Sequence, residues 1–246
     1  MDTLEGRTAL VTGASRGIGA AIAVALARAG ANIALTYASA AAPAADVVSR
    51  VESLGRRAIA IRADSADPAA LAEAVETAAK TFGGLDILVN NAGVVPLGPL
   101  EKMTLTQIDH TFAVNVRAAI LAAQAAVPHM GEGGRIITIG SNVADRIPGP
   151  GGSLYAASKS ALTGLNRGLA HEFGPRGITA VVVQPGPTDT DANPAHGAHA
   201  EQAIARTPLG HYGHVDDIAQ MVTYLAGPGG RHVTGTTITV DGGYNA

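Results

Sequence analysis

The 246-residue sequence has no cysteine and no tryptophan. Without cysteine it can form neither a disulfide nor a thiolate metal site. Aromatic residues are only 3% of the chain and charged residues only 15%, against 47% hydrophobic residues. A sizeable core is therefore expected, built from Ala, Val, Ile and Leu, which suit buried parallel strands and closely packed helices. Positive charge is not in excess. A formal net charge of -3 and the lack of any basic run argue against a protein that grips a nucleic-acid backbone. No segment reaches the roughly 18 consecutive apolar residues of a membrane span. The opening residues MDTLEGRTALVTG lack a charged region followed by a long apolar stretch, so no signal peptide is expected. A globular, cytoplasmic protein is the expectation.

Short β-like runs alternate with longer helical ones. Thr8–Thr12, Asn32–Tyr37, Ala58–Arg62, Ile87–Asn90, Arg135–Ile139, Thr179–Val183 and Thr237–Val240 read as buried strands bounded by Gly, Asn or Asp. Gly17–Ala29, Pro43–Leu54, Pro68–Phe82, Leu105–Val127, Leu154–Phe173 and Val215–Ala226 read as helices, with Pro43 and Pro68 in first turns and Gly30, Gly55 and Gly83 at stops. This alternation predicts an α/β fold: about seven parallel strands in one doubly wound sheet, covered by helices on both faces. No repeat or linker divides the chain, so residues 1–246 are expected to form one domain. The Pro-, Gly-, Ala- and His-rich segment Pro185–Pro208 breaks the alternation. A loop of that length predicts a substrate loop at about 186–208, a mobile surface excursion being the alternative.

Val11–Gly19 (VTGASRGIG) follows the first strand and opens the first helix. Its glycines are spaced as a relative of the dinucleotide fingerprint. Gly13 suits the tight turn, Gly17 a close approach of pyrophosphate to backbone, and Gly19 close packing of helix on strand. The helix N-terminus offers unpaired N–H groups to phosphates. The alternative is a glycine-rich turn with no ligand. An acid at the end of the second strand usually selects the unphosphorylated cofactor. Here Thr36-Tyr37-Ala38-Ser39 has none, and Arg16 and Ser39 are placed for a 2′-phosphate, unless Arg16 is only a solvated charge. NADP(H) is the expected cofactor.

Tyr155-Ala156-Ala157-Ser158-Lys159 follows Ser141 by one glycine-rich loop. Residues four apart share a helix face, so Tyr155 and Lys159 point the same way. A nearby ammonium should lower the phenol pKa from its ordinary value near 10, making a useful proton donor. On an arbitrary helix the same pair would be surface decoration.

With TGASRGIG, Asp64 after the third strand, NNAG at Asn90–Gly93, Asn115, Ser141, Tyr155 with Lys159, and PGPTDT at Pro185–Thr190, the chain resembles the classical short-chain dehydrogenases/reductases over its whole length. The resemblance implies a Rossmann-type fold and a catalytic set of Asn115, Ser141, Tyr155 and Lys159. It implies Ser141 as a donor to the substrate carbonyl and Asn115 as a residue that kinks its helix and holds a water leading from Lys159. The implied cofactor set begins with Gly13, Ser15, Arg16, Gly17, Ile18 and Gly19 of the glycine loop and Tyr37 and Ser39 beyond the second strand. It continues with Asp64, Ser65, Asn91, Ala92 and Gly93, then Tyr155 and Lys159, and ends with Pro185, Gly186, Thr188 and Thr190. Asp64 would accept from the adenine amino group; a helix N-cap near Pro68 is its alternative role. The family is commonly tetrameric, which implies a homotetramer.

Arg135–Ser141 and Val233–Gly243 are similar to the 3-oxoacyl-carrier-protein reductase group, which docks an acidic carrier through basic residues. Pro128–Gly134 has no Lys or Arg, a departure that counts against that substrate. Asp145–Asn193 resembles a cyclic-di-GMP-binding branch of the bacterial short-chain reductases, with Arg146 a candidate cation. Three classes stay open: an NADPH-dependent carbonyl reductase, which the reacting set favours; a sensor that sequesters cyclic-di-GMP; and a structural subunit. Turnover of ketones separates the first two. No metal site is expected from His196 and His199 or His211 and His214, which lack acidic or thiol partners nearby. Asp189, Asp191, Arg167, Arg176 and Arg206 read as solvated charges.

Overall fold

The computed structural model describes residues 3–197 and 199–246. Seven strands form one sheet: β1 (Thr8–Val11), β2 (Asn32–Tyr37), β3 (Ala58–Arg62), β4 (Ile87–Asn90), β5 (Arg135–Ile139), β6 (Thr179–Pro185) and β7 (Thr236–Val240). Their order is β3-β2-β1-β4-β5-β6-β7, and every neighbouring pair is parallel. The fold is the expected Rossmann-type α/β architecture.

Alternation along the strands divides the core in two. Ala9, Val11, Ile33 and Leu35 face α1 (Gly17–Arg28), α2 (Ala41–Ser53) and α8 (Val215–Ala226). Leu10, Ala34, Leu88 and Ile136 face α3 (Pro68–Phe82) and α5 (Ala118–Ala126). Each such Leu or Ile, fully buried, contributes about 1.5–3 kcal/mol. The alanine-rich α5 buries Ala118, Ala119, Ala122, Ala123 and Ala126, small side chains that let it lie close to its neighbours. Asp67 caps α3 by accepting from Ala69 N and Ala70 N, with Pro68 at its first position and left-handed Gly83 at its end.

Three expectations are corrected. The helix expected over Leu105–Val127 is α4 (Leu105–Phe112), a π turn (Ala113–Arg117) and α5 in succession. By length and hydropathy Leu105–His129 could cross a membrane, yet 56% of its most apolar window is buried in the core. The 186–208 excursion is not structureless, since it contains α7 (Ala200–Arg206). The second helix begins at Ala41, two residues before Pro43.

β1 lies between β2 and β4, so crossovers leave in opposite directions at this point. In open α/β sheets that reversal opens a crevice at the carboxyl ends of the strands, and ligands bind there.

Candidate active site

The glycine loop after β1 and the NNAG segment after β4 meet in that crevice. Asn91 Nδ2 donates to the carbonyls of Thr12 (2.9 Å) and Gly13 (3.1 Å). Thr12 Oγ1 accepts from Asn91 N (3.0 Å) and Ala92 N (3.1 Å). Asn91 and Ala92 thus hold the loop in shape. Gly13 and Gly17 have φ of 63 and 57, the left-handed region that side chains rarely adopt. A Cβ on Gly13 would sit 2.9 Å from Ala92 Cα. At Gly19 it would collide with Asn91 Nδ2 and lie 2.8 Å from the Gly13 carbonyl. Gly19→Ala is therefore expected to break the Asn91 tie and destabilise the fold by about 1–3 kcal/mol, read from urea unfolding.

Ser15, Arg16, Gly17 and Thr190 line one open cleft of about 470 Å3, together with Arg50 and His214. Ile18, in the first turn of α1, packs against the α1-side core. Arg16 is exposed, with extended backbone at the N-cap of α1. Tyr37 ends β2, and Ser39 is exposed two residues beyond it. Arg62, unnoticed in the sequence, brings a second guanidinium to this end: its Nε donates to the Ala38 carbonyl at 3.3 Å. Asp64 is exposed and its Oδ1 accepts from Ala66 N at 2.9 Å, while Ser65 is buried. The N-cap of α3 is Asp67, not Asp64.

Ser141 directly follows Gly140 at the end of β5, while Tyr155 and Lys159 lie in the first turns of α6 (Ser153–Phe173). The Ser141 hydroxyl neighbours the Tyr155 phenol closely enough to exert a lowering effect on its pKa. The Lys159 Nζ lies 5.9 Å from the centre of the Tyr155 ring and donates to the Ile139 carbonyl at 2.9 Å. Asn115 is in the π turn. Its Oδ1 accepts from Val94 N at 2.8 Å, and its Nδ2 donates to the Val94 carbonyl and to Ser158 Oγ, each at 2.9 Å. A Cβ on Gly93 would be 3.4 Å from both Asn115 Oδ1 and Lys159 Nζ, so the bare glycine sits between these two groups. Asn115, Ser141 and the Tyr155–Lys159 pair, from three separate segments, thus come together at the carboxyl end of the sheet.

The electrostatics differ from the expectation. Burial pushes the Tyr155 phenol up, and the neighbouring Ser141 hydroxyl only partly opposes this. Burial also pushes Lys159 down to about 8. Loss of solvent outweighs charge attraction across the pair, because both groups are taken out of water together.

Residues 13–245 match the family model described as enoyl-(acyl carrier protein) reductase. A short chain dehydrogenase from Burkholderia cenocepacia J2315, solved in complex with NADP, superposes with a TM-score of 0.98. It is 57% identical, over 99% of this chain and 100% of that one. The chain belongs to the short-chain dehydrogenase/reductase family. A blue fluorescent protein from a metagenomic library, solved with NADPH, is 54% identical at a TM-score of 0.98, over 99% of this chain and 100% of its own. The cyclic-di-GMP-binding biofilm dispersal mediator protein of Escherichia coli (strain K12) is 44% identical over the full length of both chains.

In this short-chain dehydrogenase/reductase the PGPTDT segment leaves β6 alongside β7. Pro185 pairs with Val240, and a Gly186 Cβ would lie 2.6 Å from Asp241 Cα. Thr188 is buried and its Oγ1 donates to the Gly186 carbonyl at 3.0 Å, while Thr190 Oγ1 accepts from Asn193 N at 3.2 Å. Two arginines read as solvated are in use. Arg176 Nη2 donates to the carbonyls of Val127 and Met130, and Arg206 Nη1 to that of Pro148. His214 caps α8, and Asp189 Oδ1 accepts from Ala195 N.

Proposed function

We propose that the protein is an NADPH-dependent carbonyl reductase that converts a ketone to an alcohol, reversibly, with Ser141, Tyr155, Lys159 and Asn115 as its reacting set. The observation carrying this reading is the Ser141–Tyr155 hydroxyl pair, set beside a buried Lys159 at the carboxyl end of the sheet. NADP(H) as cofactor is supported by the two solved relatives that hold NADP or NADPH. The chain's own residues fit that cofactor: left-handed Gly13 and Gly17 leave the backbone bare, Arg16 and Arg62 supply cations, and the end of β2, Thr36-Tyr37-Ala38-Ser39, carries no acid. When bound, the cofactor supplies the hydride.

The residues then manage charge. As the carbonyl oxygen becomes negative, Ser141 and Tyr155 donate hydrogen bonds to it, and Tyr155 passes on its proton. Lys159 holds the nicotinamide ribose hydroxyls and stabilises the tyrosinate left behind. Asn115 fixes Val94 and Ser158, keeping the pocket floor and α6 in register, in addition to the water-holding role implied by the family. Pro185, Gly186, Thr188 and Thr190 secure the carboxamide end, and residues 186–208 act as the substrate loop of a single domain. A cytoplasmic homotetramer belongs to the same reading, with exposed Leu105, Phe112 and Ile120 available for self-association.

Following NADPH absorbance with a panel of ketones tests the proposal, and no oxidation with any of them would overturn it. For the cofactor choice, Arg16→Ala and Arg62→Ala are each expected to weaken NADPH by about tenfold or more while NADH changes little. That factor reflects the loss of one charge-assisted hydrogen bond. Equal loss for both coenzymes would remove the two arginines from the 2′-phosphate. The Escherichia coli relative's name supports a second reading, cyclic-di-GMP binding. Titrating cyclic-di-GMP into cofactor-free and NADPH-loaded protein decides it, because binding without turnover of any ketone would favour the sensor.

A further inference from the structure

Apart from its interaction with the Tyr155 phenol, Ser141 has little to aim it. Its backbone is extended, and the one bond from its turn to its side chain is a long one, Val143 N to Ser141 Oγ at 3.4 Å. The next residue is held far more firmly. Asn142 is 4% exposed, and its carbonyl accepts from Asn245 Nδ2 at 2.7 Å. Its own Nδ2 lies 3.4 Å from both Asp241 Oδ2 and Asn245 Oδ1. Asp241 accepts in turn from Asn245 N at 3.0 Å and from Gly243 N at 2.9 Å. Asn142 thus bridges the Asp241 and Asn245 side chains, while Asp241 also holds the backbone of the turn that carries Asn245.

That network joins three loops of the site. Asp241 follows β7 and fills the space beside Gly186, whose N donates to the Val240 carbonyl at 3.0 Å. Gly242 accepts from Leu209 N at 3.2 Å, just past the 186–208 excursion. Residues 241–245 therefore touch the turn bearing Ser141, the turn bearing Gly186 and the end of the substrate loop. Apolar contacts would fill this space without the cost of burying amides. A polar network with directional bonds instead favours one orientation.

We propose that Asn142, Asp241 and Asn245 are positioning residues that hold the Ser141 hydroxyl toward the reacting oxygen and affect turnover through it. This rests on the reductase reading above. The test compares Asn142→Ala and Asn245→Ala with the parent protein and repeats both in a Ser141→Ala background. Measured are kcat, NADPH affinity, melting temperature and the pH profile of alcohol oxidation. Expected is a fall in kcat of about tenfold, the effect of a donor displaced by a fraction of an ångström, with NADPH affinity kept within about twofold. The rising limb of the oxidation profile should move to higher pH, as in Ser141→Ala, because the Ser141 hydroxyl favours the tyrosinate. Once Ser141 is replaced, neither substitution should reduce kcat further. Asn245 is only half-buried, so Asn245→Ala decides the matter should Asn142→Ala fail to fold. A folded variant with unchanged kcat and pH profile overturns the inference, as does a further loss in the Ser141→Ala background. Absence of ketone turnover by the parent protein overturns the reductase reading first, and this inference with it.

Discussion

Tyr155→Phe is expected to lower turnover about a thousandfold while leaving NADPH affinity within about twofold of the parent. The phenyl ring fills the same space, so the substitution deletes one O–H and little else. A positioned general acid is worth about 10²–10⁴ in rate, and a donor to a developing oxyanion about 10²–10³. The two contributions belong to one hydroxyl and do not simply multiply. Ser141 remains as a second donor, which keeps the loss short of total. Burial raises the phenol pKa, so the proton needed for carbonyl reduction stays in place through neutrality. Reduction should fall off only above the ordinary tyrosine range, whereas alcohol oxidation, which needs tyrosinate, should climb with pH. Single-turnover NADPH absorbance with coenzyme bound in advance separates chemistry from binding. Activity within tenfold of the parent would remove Tyr155 as the proton donor.

The parts of this protein legible in its sequence are those whose cause is local. Runs such as ILVN and RIITI are buried along their whole length, and their apolar continuity marks central parallel strands. Asp67, Pro68 and Gly83 frame α3 through capping and a left-handed turn, effects confined to a few residues. The glycine loop is legible for the same reason. What was missed depends on partners far away. The resemblance implied a kink at Asn115, but the local residues Ala113–Arg117 do not signal a π turn; Asn115 is held in it by the backbone of Val94, 21 residues earlier. Arg62 meets Ala38 across neighbouring strands, and Asn142 meets Asn245 across 103 residues. The helix α7 was hidden because a stretch rich in Pro, Gly and His runs up to it. The direction of the Tyr155 shift failed for a related reason. Spacing on a helix gives the distance between two charges, but only the folded chain gives their depth.

Depth also sets the expected behaviour of Lys159→Met, in which stability and activity should move in opposite directions. Lys159 is 4% exposed and its pKa is pushed down from 10.5 to about 8. Between those values the unfolded chain binds the proton more tightly than the folded one, so stability rises with pH across this window. Below pH 8 the folded protein carries the full cost of the buried charge, about 3 kcal/mol for a shift of that size. Methionine has nearly the same length and no charge, but it leaves the Ile139 carbonyl without its donor, which costs about 1–2 kcal/mol. The cofactor-free variant should then be more stable than the parent by about 1 kcal/mol at pH 7. Because the parent gains with pH and the variant does not, the order should reverse by about pH 10. Tyr155 is present in both proteins and cancels from the comparison. Turnover should meanwhile fall by at least about a hundredfold, since no cation is left to hold the ribose or the tyrosinate. Urea midpoints from pH 7 to pH 10, with and without NADPH, read the stability arm. A difference between the two proteins that stays constant with pH would mean that Lys159 carries no buried charge, and the cation at the centre of the proposed mechanism would be lost.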